Sequence, residues 1–235
     1  FGTPVQLPNS GAWILEREIP GHKDHRDAMA VYPFLCCESW DALRADLDQI
    51  KHLVSLTVVP EPFGKHSPEL LDELFPDCCN QNYKISPVAD LQKPLEEFVS
   101  KKRRKAGIKA LEKLTIEVVE DPTKELEEFS GLYQQLIHRH DIKGMRAFSR
   151  TAFRGMLQTP GLVYIRAKFE DKTIGVHTWM IQGDAAYAHL AAYDGQLGFK
   201  MYAPSALYWF SYPFFSERVR WLFYGGSAAG ADSDN

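Results

Sequence analysis

The side chains best suited to proton transfer lie on two predicted strands in the second half of the sequence. His177 belongs to the first strand, and Tyr187, His189 and Tyr193 occupy alternate positions on the second. Alternate positions of a strand share one face. An imidazole exchanges a proton near neutral pH, so His189 and Tyr193 are candidates to line a catalytic cleft. A histidine packed only for structural reasons is the alternative interpretation of His189.

The turn between these strands, Gly183-Asp184, predicts how the two histidines are oriented. A two-residue hairpin turn places His177 opposite Leu190. The same register places His189 opposite Thr178. Because paired residues share a face and neighbours alternate, the pattern predicts that the histidines point to opposite faces of the sheet and do not form one site.

The segment that follows the second strand, residues 194–202, is a candidate for binding a phosphorylated carrier. It precedes a predicted helix, and a helix start offers backbone N–H groups and a partial positive charge that suit a pyrophosphate. A plain glycine loop between a strand and a helix is the alternative. The candidate carrier-binding residues are Gly195, Gln196, Gly198, Phe199 and Lys200.

The four cysteines form two adjacent pairs, Cys36-Cys37 and Cys78-Cys79, without the C-x-x-C spacing of a zinc site. Buried reduced thiols in a cytoplasmic protein are the preferred interpretation, and a disulfide or metal site between the pairs is the alternative. His138 and His140 are two positions apart on a predicted helix and face different directions, so they do not suggest a metal pair. The sequence therefore predicts no metal cofactor.

The composition is that of an ordinary globular protein. Of the 235 residues, 45% are hydrophobic and 25% are charged, and the formal net charge is −4. This global charge gives no reason to propose a nucleic-acid binder. No apolar run is long enough to span a membrane.

The second part of the chain carries a regular order of elements that positions these residues. Strand 115–119 precedes two helices that begin near Asp121-Pro122 and Ser149, and a short meander follows. The predicted meander strands are 162–169, 173–182 and 185–193. An aromatic-rich helix at 204–217 and a strand at 220–224 complete the order β-α-α-β-β-β-α-β. We expect the helix to pack on the sheet through Leu207, Phe210 and Phe214.

The first part also has α/β texture, with predicted strands at 13–18, 30–36, 53–59 and 83–85. Ser39 and Ser67 begin its helices. The apolar strand 53–59 is of the kind that is buried on both sides. A long helical segment, 91–114, contains the basic run 101–105 and connects the halves, so we place a domain boundary near residue 100, with domains 1–100 and 101–235.

Several motifs then indicate a family. The stretch 162–177 has a strand ending in an acidic turn before Ile174-Gly175, and Tyr187-Ala-His-Leu-Ala-Ala-Tyr193 is followed by Gly198, Ala203, Leu207 and Tyr224-Gly-Gly226. The second half resembles the GNAT fold, an α/β domain with a mixed sheet. It is most similar to the double-domain subgroup of Fem-type peptidoglycan aminoacyltransferases and cellulose-biosynthesis acetyltransferases. Tyr32-Pro-Phe and residues 53–60 resemble the degenerate first GNAT-like copy of that subgroup.

The resemblance implies an N-acyltransferase that moves an acyl group, such as acetyl, from acetyl-CoA or another acyl-CoA. The amine would attack directly in a ternary complex, so the protein supplies positioning, a base and an oxyanion donor rather than a covalent nucleophile. The implied acceptor is a small-molecule or cell-wall-precursor amine. Two alternatives stay open. One is a Fem-type transferase that uses aminoacyl-tRNA, to which the basic run 101–105 would contribute.

The other alternative is a non-catalytic binding protein that kept the fold. The imperfect spacing of the phosphate loop, Gln196-Leu-Gly198-Phe-Lys200, favours it. The fold of this family continues past the position that corresponds to Asn235, so the second domain is expected to be incomplete at its C-terminus. The oligomeric state is not predicted.

Overall fold

The computed structural model of the chain describes residues 2–31, 34–76, 78, 85–144 and 147–225. It divides into two compact units, Phe1–Tyr83 and Lys84–Asn235. Each unit contains one mixed β-sheet, which confirms the predicted α/β class. The sequence features assigned to Tyr32, Cys79, Tyr83 and Gly226 lie outside the described residues. Among the described residues, no helix is long and apolar enough to cross a membrane.

The first unit is built on a four-stranded sheet in the order β1-β2-β3-β4. The first three strands form an antiparallel meander, and β4 runs parallel to β3 after the crossover helix α1. Helix α2 follows, and the Ser67 hydroxyl accepts a hydrogen bond from the Leu70 N–H at its start, as predicted. The elements are Thr3–Gln6 (β1), Trp13–Ile19 (β2), His22–Ala30 (β3), Leu43–Gln49 (α1), Leu53–Thr57 (β4) and Pro68–Leu74 (α2).

Two predictions for the first unit are wrong. The predicted strand at 30–36 is replaced by β3, which ends at Ala30, and only an isolated bridge joins Leu35 to Pro60. The strand predicted to be buried on both sides, β4, forms an edge of the sheet, and Val54 is 60% exposed. A continuous apolar run therefore did not indicate a strand buried on both sides here, because an edge strand that packs on a small core can have the same residue types. That core is centred on Ile14, Leu35 and Leu43.

The second unit contains a six-stranded sheet in the order β5-β10-β9-β8-β7-β6. Strands β6 to β9 are antiparallel, β10 runs parallel to β9, and β5 pairs antiparallel with β10. The three predicted meander strands are confirmed within one residue. The strands are Val88–Asp90 (β5), Thr115–Val119 (β6), Leu162–Phe169 (β7), Lys172–Gln182 (β8), Ala185–Tyr193 (β9) and Trp221–Phe223 (β10).

Helices cover both faces of this sheet and create two cores. One core lies between the sheet and the pair α4 and α8, and the other lies under α5 and α6. Asp121 and Ser149 cap the turns that begin the second pair, as their residue types predict. The helices are Leu95–Phe98 (α3), Lys101–Leu111 (α4), Leu126–His140 (α5), Arg150–Leu157 (α6), Leu197–Lys200 (α7) and Ala203–Ser216 (α8).

The division between the units lies earlier than the predicted position near residue 100. Strand β5 is hydrogen bonded to β10 in the second sheet, so residues before 100 already belong to the second unit. The Arg220 guanidinium donates two hydrogen bonds to the Asp90 carboxylate and ties the same two strands together. The predicted strand at 83–85 does not form at Ile85, which is exposed outside any strand. A three-residue strand without apolar periodicity leaves almost no signal in the sequence.

The two units share one order of elements. Strands β1, β2 and β3 form a meander that is followed by helix α1 and the parallel strand β4. Strands β7, β8 and β9 form a second meander, which is followed by helices α7 and α8 and the parallel strand β10. This internal resemblance agrees with two GNAT-like halves in tandem. That the first half is a degenerate copy stays a prediction.

Helix α8 packs on the sheet, although not entirely through the predicted side chains. Leu207 is fully buried as expected, while Phe210 and Phe214 are only partly buried. Phe215 is the fully buried aromatic residue instead. The helix was therefore predicted correctly, but its observed buried face is displaced by about one residue from the predicted face.

The predicted connector 91–114 is two helices rather than one. The chain leaves helical geometry at Val99, and the Ser100 hydroxyl begins α4 by accepting a hydrogen bond from the Arg103 N–H. In the basic run 101–105, only Arg104 is partly buried, where it forms an ion pair with Glu96. The other four residues of the run are exposed.

The contact between α4 and α8 depends on Gly107, and this generates a prediction. A Cβ at this position would lie 2.6 Å from Trp209 Cβ and 3.2 Å from the Ser205 carbonyl oxygen. We expect Gly107→Ala to lower the free energy of unfolding by about 1–3 kcal/mol despite the better helix propensity of alanine. Urea unfolding measures this. Gly131→Ala in α5 is the matched control, because no atom lies within 4 Å of its Cβ. Equal stabilisation by both changes would contradict the packing argument.

Candidate functional site

The register between β8 and β9 shifts in the middle of the two strands. From the turn up to the pair Trp179–Ala188, the pairing is the one that a two-residue turn predicts. Beyond that pair, His177 lies opposite Ala191 instead of Leu190. Strand β9 therefore contains one residue more than β8 over this interval, which defines a β-bulge.

The bulge consists of His189 and Leu190, which together face the single residue Thr178. The Thr178 hydroxyl accepts a hydrogen bond from the Leu190 N–H at 3.0 Å and donates one to the Leu190 carbonyl oxygen at 3.1 Å. One side chain thereby satisfies both backbone groups of a residue that the extra position removes from the regular ladder. The bulge is built into the sheet rather than being a local defect.

The cavity at this bulge contradicts the prediction that the two histidines cannot form one site. His177 and His189 line the same cavity, together with Trp179, Tyr208 and Tyr224. Because one residue has been inserted, the part of β9 after the bulge changes face. Tyr193 therefore lies on the face of His177, and the predicted face shared by Tyr187, His189, Ala191 and Tyr193 does not exist.

The cavity has a volume of about 130 Å³, enough for several water molecules or a small acyl group but not for a whole carrier molecule. Its wall is mostly aromatic. The His177 ring packs against Tyr208 with 4.5 Å between centroids, and Trp179 packs against Phe215 at 5.0 Å. Trp179 is fully buried, and its Nε1 atom has no hydrogen-bond partner in the described part of the chain.

His177 is held as a neutral imidazole. Burial lowers its pKa to about 3, and its Nε2 atom shares a short hydrogen bond with the Tyr193 hydroxyl. Burial also raises the pKa of Tyr193. Tyr193, predicted to line the cleft, is not among the residues that line the cavity and instead fixes the ring of His177. Sequence reasoning missed His177 because the bulge that turns Tyr193 toward it has no marker in the residue types.

His189 is the predicted base, and it does line the cavity. It is partly buried, and burial lowers its pKa, so the ring is neutral and able to accept a proton near pH 7. Its position within the bulge places it two residues beyond Tyr187, the last residue of β9 that pairs with β10 in the described part of the chain.

The described pairing between β9 and β10 is short. The two strands are paired only at Ala185, Ala186 and Tyr187 of β9. Beyond Tyr187, no strand among the described residues accompanies β9 on this side of the sheet. Tyr224 follows β10 directly and forms one wall of the cavity at this opening. The cavity therefore lies just beyond the last residue pair that joins β9 to β10 in the described part of the chain.

Most backbone N–H groups of the predicted carrier loop, residues 194–202, already donate hydrogen bonds to acceptors within the protein. The Asp194 carboxylate accepts hydrogen bonds from the Gln196 and Leu197 N–H groups, while its other oxygen binds Lys172 Nζ at 2.7 Å. The bond to Lys172 is the main reason that the pKa of Asp194 is lowered. The Gly195 N–H donates to the Gln135 side chain. Further along, backbone carbonyls accept the N–H groups of Gly198, Lys200, Met201 and Tyr202.

The structure therefore changes the role expected of Gly198. This residue is buried, and a Cβ on it would lie 2.6 Å from the Ile174 carbonyl oxygen. The glycine is required for packing of α7 on β8, and not to keep a surface open for phosphate. Phe199 is 47% exposed and lies under the Arg139 guanidinium, while Lys200 is exposed.

The first turn of α8 is a second place for an anion next to this loop. Its N-cap residue, Tyr202, has a left-handed backbone conformation with φ of 59° and makes no side-chain capping hydrogen bond. The helix has 14 residues, so its dipole adds a partial positive charge at this end. Lys200 lies just before it in the chain.

Metal ligation has no support in the described residues, where no group of three or more histidine, cysteine or acidic side chains could hold an ion. Cys36 and Cys37 are partly buried, and Cys78 is exposed. The prediction of buried thiols is therefore wrong for Cys78. Burial raises the pKa of Cys37 to about 12, which makes it a poor nucleophile.

Comparison with known proteins identifies the segment that carries the site. Residues 97–209 match the family model described as "Acetyltransferase (GNAT) domain". This segment is a GNAT acyltransferase domain. The match includes the bulge, both histidines of the cavity and Tyr208, whereas Tyr224 lies beyond it. No curated protein sequence matches the chain.

Solved structures share the fold of the GNAT domain and of the unit before it. The crystal structure of FemX has a TM-score of 0.68 at 13% identity and aligns with 95% of this chain and 77% of its own. The C-terminal domain of a putative lysylphosphatidylglycerol synthetase from Agrobacterium fabrum has a TM-score of 0.63 at 13% identity, covering 96% and 70%. The structure of L-PGS from Bacillus licheniformis has a TM-score of 0.59 at 14% identity, covering 95% and 68%. The predicted GNAT-like fold is thus confirmed.

The buried histidines of the GNAT domain predict a pH dependence of stability. A folded-state pKa below the unfolded value means that the unfolded chain binds more protons, so stability is lost as the pH falls below about 6.5. For His177 the loss is about 1.4 kcal/mol per pH unit at most and continues toward its folded pKa of about 3.

We therefore expect His177→Gln to flatten the dependence of the unfolding free energy on pH between pH 6.5 and 4.5. Chemical unfolding at several pH values measures the slope. His138→Gln, at an exposed position on α5, is the matched control. Identical slopes for His177→Gln and the unaltered protein would show that His177 is not held neutral by the fold.

Proposed function

We propose that the GNAT domain is an N-acyltransferase that takes its acyl group from acyl-CoA and transfers it to an amine in the cavity beside the bulge. One observation carries this proposal: an aromatic cavity with a neutral histidine lies beside β9, just beyond the last described residue pair between β9 and β10. An unpaired strand edge can hold an extended carrier through its backbone groups, as a peptide strand is held in β-augmentation.

The size of the cavity supports a division of the carrier between two regions. A volume of about 130 Å³ accommodates the thioester and a small acyl group such as acetyl. The rest of the carrier would extend along β9 beyond Tyr187, where the described part of the chain provides no neighbouring strand on this side. Its pyrophosphate would lie beside residues 195–202, at the first turn of α8. It would not lie on the backbone of α7, where the N–H groups of Leu197, Gly198 and Lys200 already have partners. Lys200 and Arg139 are exposed cations of this region, and the Arg139 guanidinium lies over the Phe199 ring.

The chemistry follows from these positions. The amine nitrogen forms a bond to the thioester carbonyl carbon, and the carbonyl electron pair moves to oxygen. His189 accepts the proton that the amine loses, because its lowered pKa keeps the ring neutral. Collapse of the intermediate breaks the carbon–sulfur bond and releases the thiolate, which takes up a proton. Tyr193 acts indirectly by holding His177 in the wall of the cavity.

Calorimetry tests the identity of the carrier. We expect acetyl-CoA to bind, and we expect Lys200→Ala to weaken that binding by about 1–3 kcal/mol, as for a hydrogen bond to a charged group. Lys143→Ala, an exposed lysine that forms an ion pair with Asp141, is the matched control. If Lys200→Ala bound acetyl-CoA with unchanged affinity, the pyrophosphate would not lie beside Lys200 at the first turn of α8. Gly198→Val does not isolate this effect, since it also disturbs packing against Ile174.

His189→Ala tests the base. We expect kcat to fall by about 10²–10⁴-fold while the affinity for acetyl-CoA is preserved, because a base acts in the transition state. Steady-state kinetics with an amine acceptor, combined with calorimetry, separates the two quantities. His138→Ala is the control. A variant that retains full turnover would remove His189 from the mechanism.

A second candidate function uses aminoacyl-tRNA as the donor. The observation that favours it is the full-length structural likeness to FemX, together with the exposed basic run 101–105 on α4. Arg103 in this run lies near enough to Tyr208 in the cavity wall to lower the pKa of that tyrosine, against the larger effect of burial, which raises it. A polyanionic donor could therefore reach the cavity from this side. Binding of aminoacyl-tRNA but not acetyl-CoA would support this function, and binding of neither would support a non-catalytic role.

A further inference from the structure

The indole of Trp179 is a buried hydrogen-bond donor whose partner the described chain does not supply. The residue lies on β8, is fully buried and lines the cavity, yet its Nε1 atom contacts no acceptor in the described residues. Buried polar side chains are almost always hydrogen bonded, so such a group requires an explanation. A ligand in the cavity provides one.

The chemistry of the donor limits what this ligand offers. An indole N–H only donates, so the partner must be an acceptor atom. It does not titrate, so it presents the same donor at every pH at which the protein is folded. Two neighbouring polar side chains in the cavity wall already have partners, since His177 bonds to Tyr193 and Thr178 bonds to Leu190. The Tyr224 hydroxyl, in the same wall, is a second buried polar group without a hydrogen-bond partner among the described residues.

Packing fixes the direction of the donor. The indole ring lies against Phe215 with 5.0 Å between centroids and against Tyr224 with 6.0 Å. Phe215 belongs to the buried face of α8, and Tyr224 follows β10, so two elements of the fold hold the ring. A donor fixed in this way does not have to reorganise when charge develops on its partner.

We propose that Trp179 is a catalytic residue whose indole N–H donates a hydrogen bond to the carbonyl oxygen of the acyl group. This inference rests on the proposed acyl transfer in the cavity. When the amine nitrogen bonds to the carbonyl carbon, the carbonyl electron pair moves to the oxygen, and the indole stabilises that oxyanion. When the carbon–sulfur bond of a thioester, or the carbon–oxygen bond of an ester, breaks, the carbonyl forms again. The role is therefore the same for either class of donor.

An isosteric replacement tests the donor without changing the shape of the side chain. In 3-benzothienylalanine a sulfur atom replaces the indole N–H, and this residue can be incorporated at position 179 alone. We expect kcat to fall roughly 10²–10³-fold with little change in KM for the acyl donor. The same replacement at Trp13, which is 46% exposed in the first unit, is the matched control and should leave turnover unchanged.

Stability separates this role from a structural one. Because the N–H makes no hydrogen bond within the described chain, its removal should leave the thermal midpoint of the protein without donor unchanged or higher. A lower midpoint together with a parallel loss of donor affinity would assign Trp179 to the fold and overturn the proposal.

A binding measurement addresses the carbonyl directly. In a protein labelled with ¹⁵N at tryptophan, we expect acetyl-CoA to shift the Trp179 indole resonance, whereas S-ethyl-CoA, a thioether without the carbonyl, should not. Equal shifts with both ligands, or full turnover of the benzothienyl variant, would overturn the role of Trp179 and leave acyl transfer intact. If the unaltered protein transfers an acyl group from neither acetyl-CoA nor aminoacyl-tRNA, the proposed function fails, and this inference fails with it.

Discussion

The hydroxyl of Thr178 makes the rest of the site possible. A bulge leaves one residue of the longer strand without its ladder partners, and in the interior of a sheet those groups cannot turn to water. A threonine can both accept and donate, so it satisfies the N–H and the carbonyl of Leu190 at once. The inserted residue then places Tyr193 on the face of His177, and His189 lines the cavity that also contains His177. A valine of the same shape would occupy the same position without holding the backbone in this arrangement.

The polar groups around the site fall into two kinds. Those in the loop and in α7 bond to one another, from Asp194 through the N–H groups that follow it, so this region keeps its form without a ligand. Those in the cavity are neutral and set in aromatic surroundings, where electrostatic interactions are less screened than in water. The loop and α7 thus keep their form without a ligand, while the cavity beside them contains polar groups whose hydrogen bonds are not all formed. Electrostatic preorganisation requires such fixed donors in a site of this kind.

Periodicity was sufficient to predict most of the second unit. The meander strands, α5, α6 and α8 followed from alternation, caps and helical spacing, because burial of one face leaves that pattern in the residue types. The site was harder to predict. The bulge at His189 and Leu190 depends on a single inserted position, which alternation alone cannot reveal, and the two histidines were therefore assigned to separate sites. The small strand β5 and the edge position of β4 were missed because both are determined by partners distant in sequence.

Strand β5 carries a consequence for the order in which the molecule folds. Arg220 and Asp90, which join β10 to β5, are 130 residues apart in sequence, so the loop that closes when they meet contains nearly all of the second unit. Closing a long loop is entropically unfavourable until the intervening elements are in place, and such contacts slow folding. The local meander of β7, β8 and β9 can form as soon as it is synthesised. Strand β5, in contrast, cannot pair until β10 has been synthesised, near the end of the second unit. Since Tyr224 follows β10, the wall of the cavity is completed only in this late step.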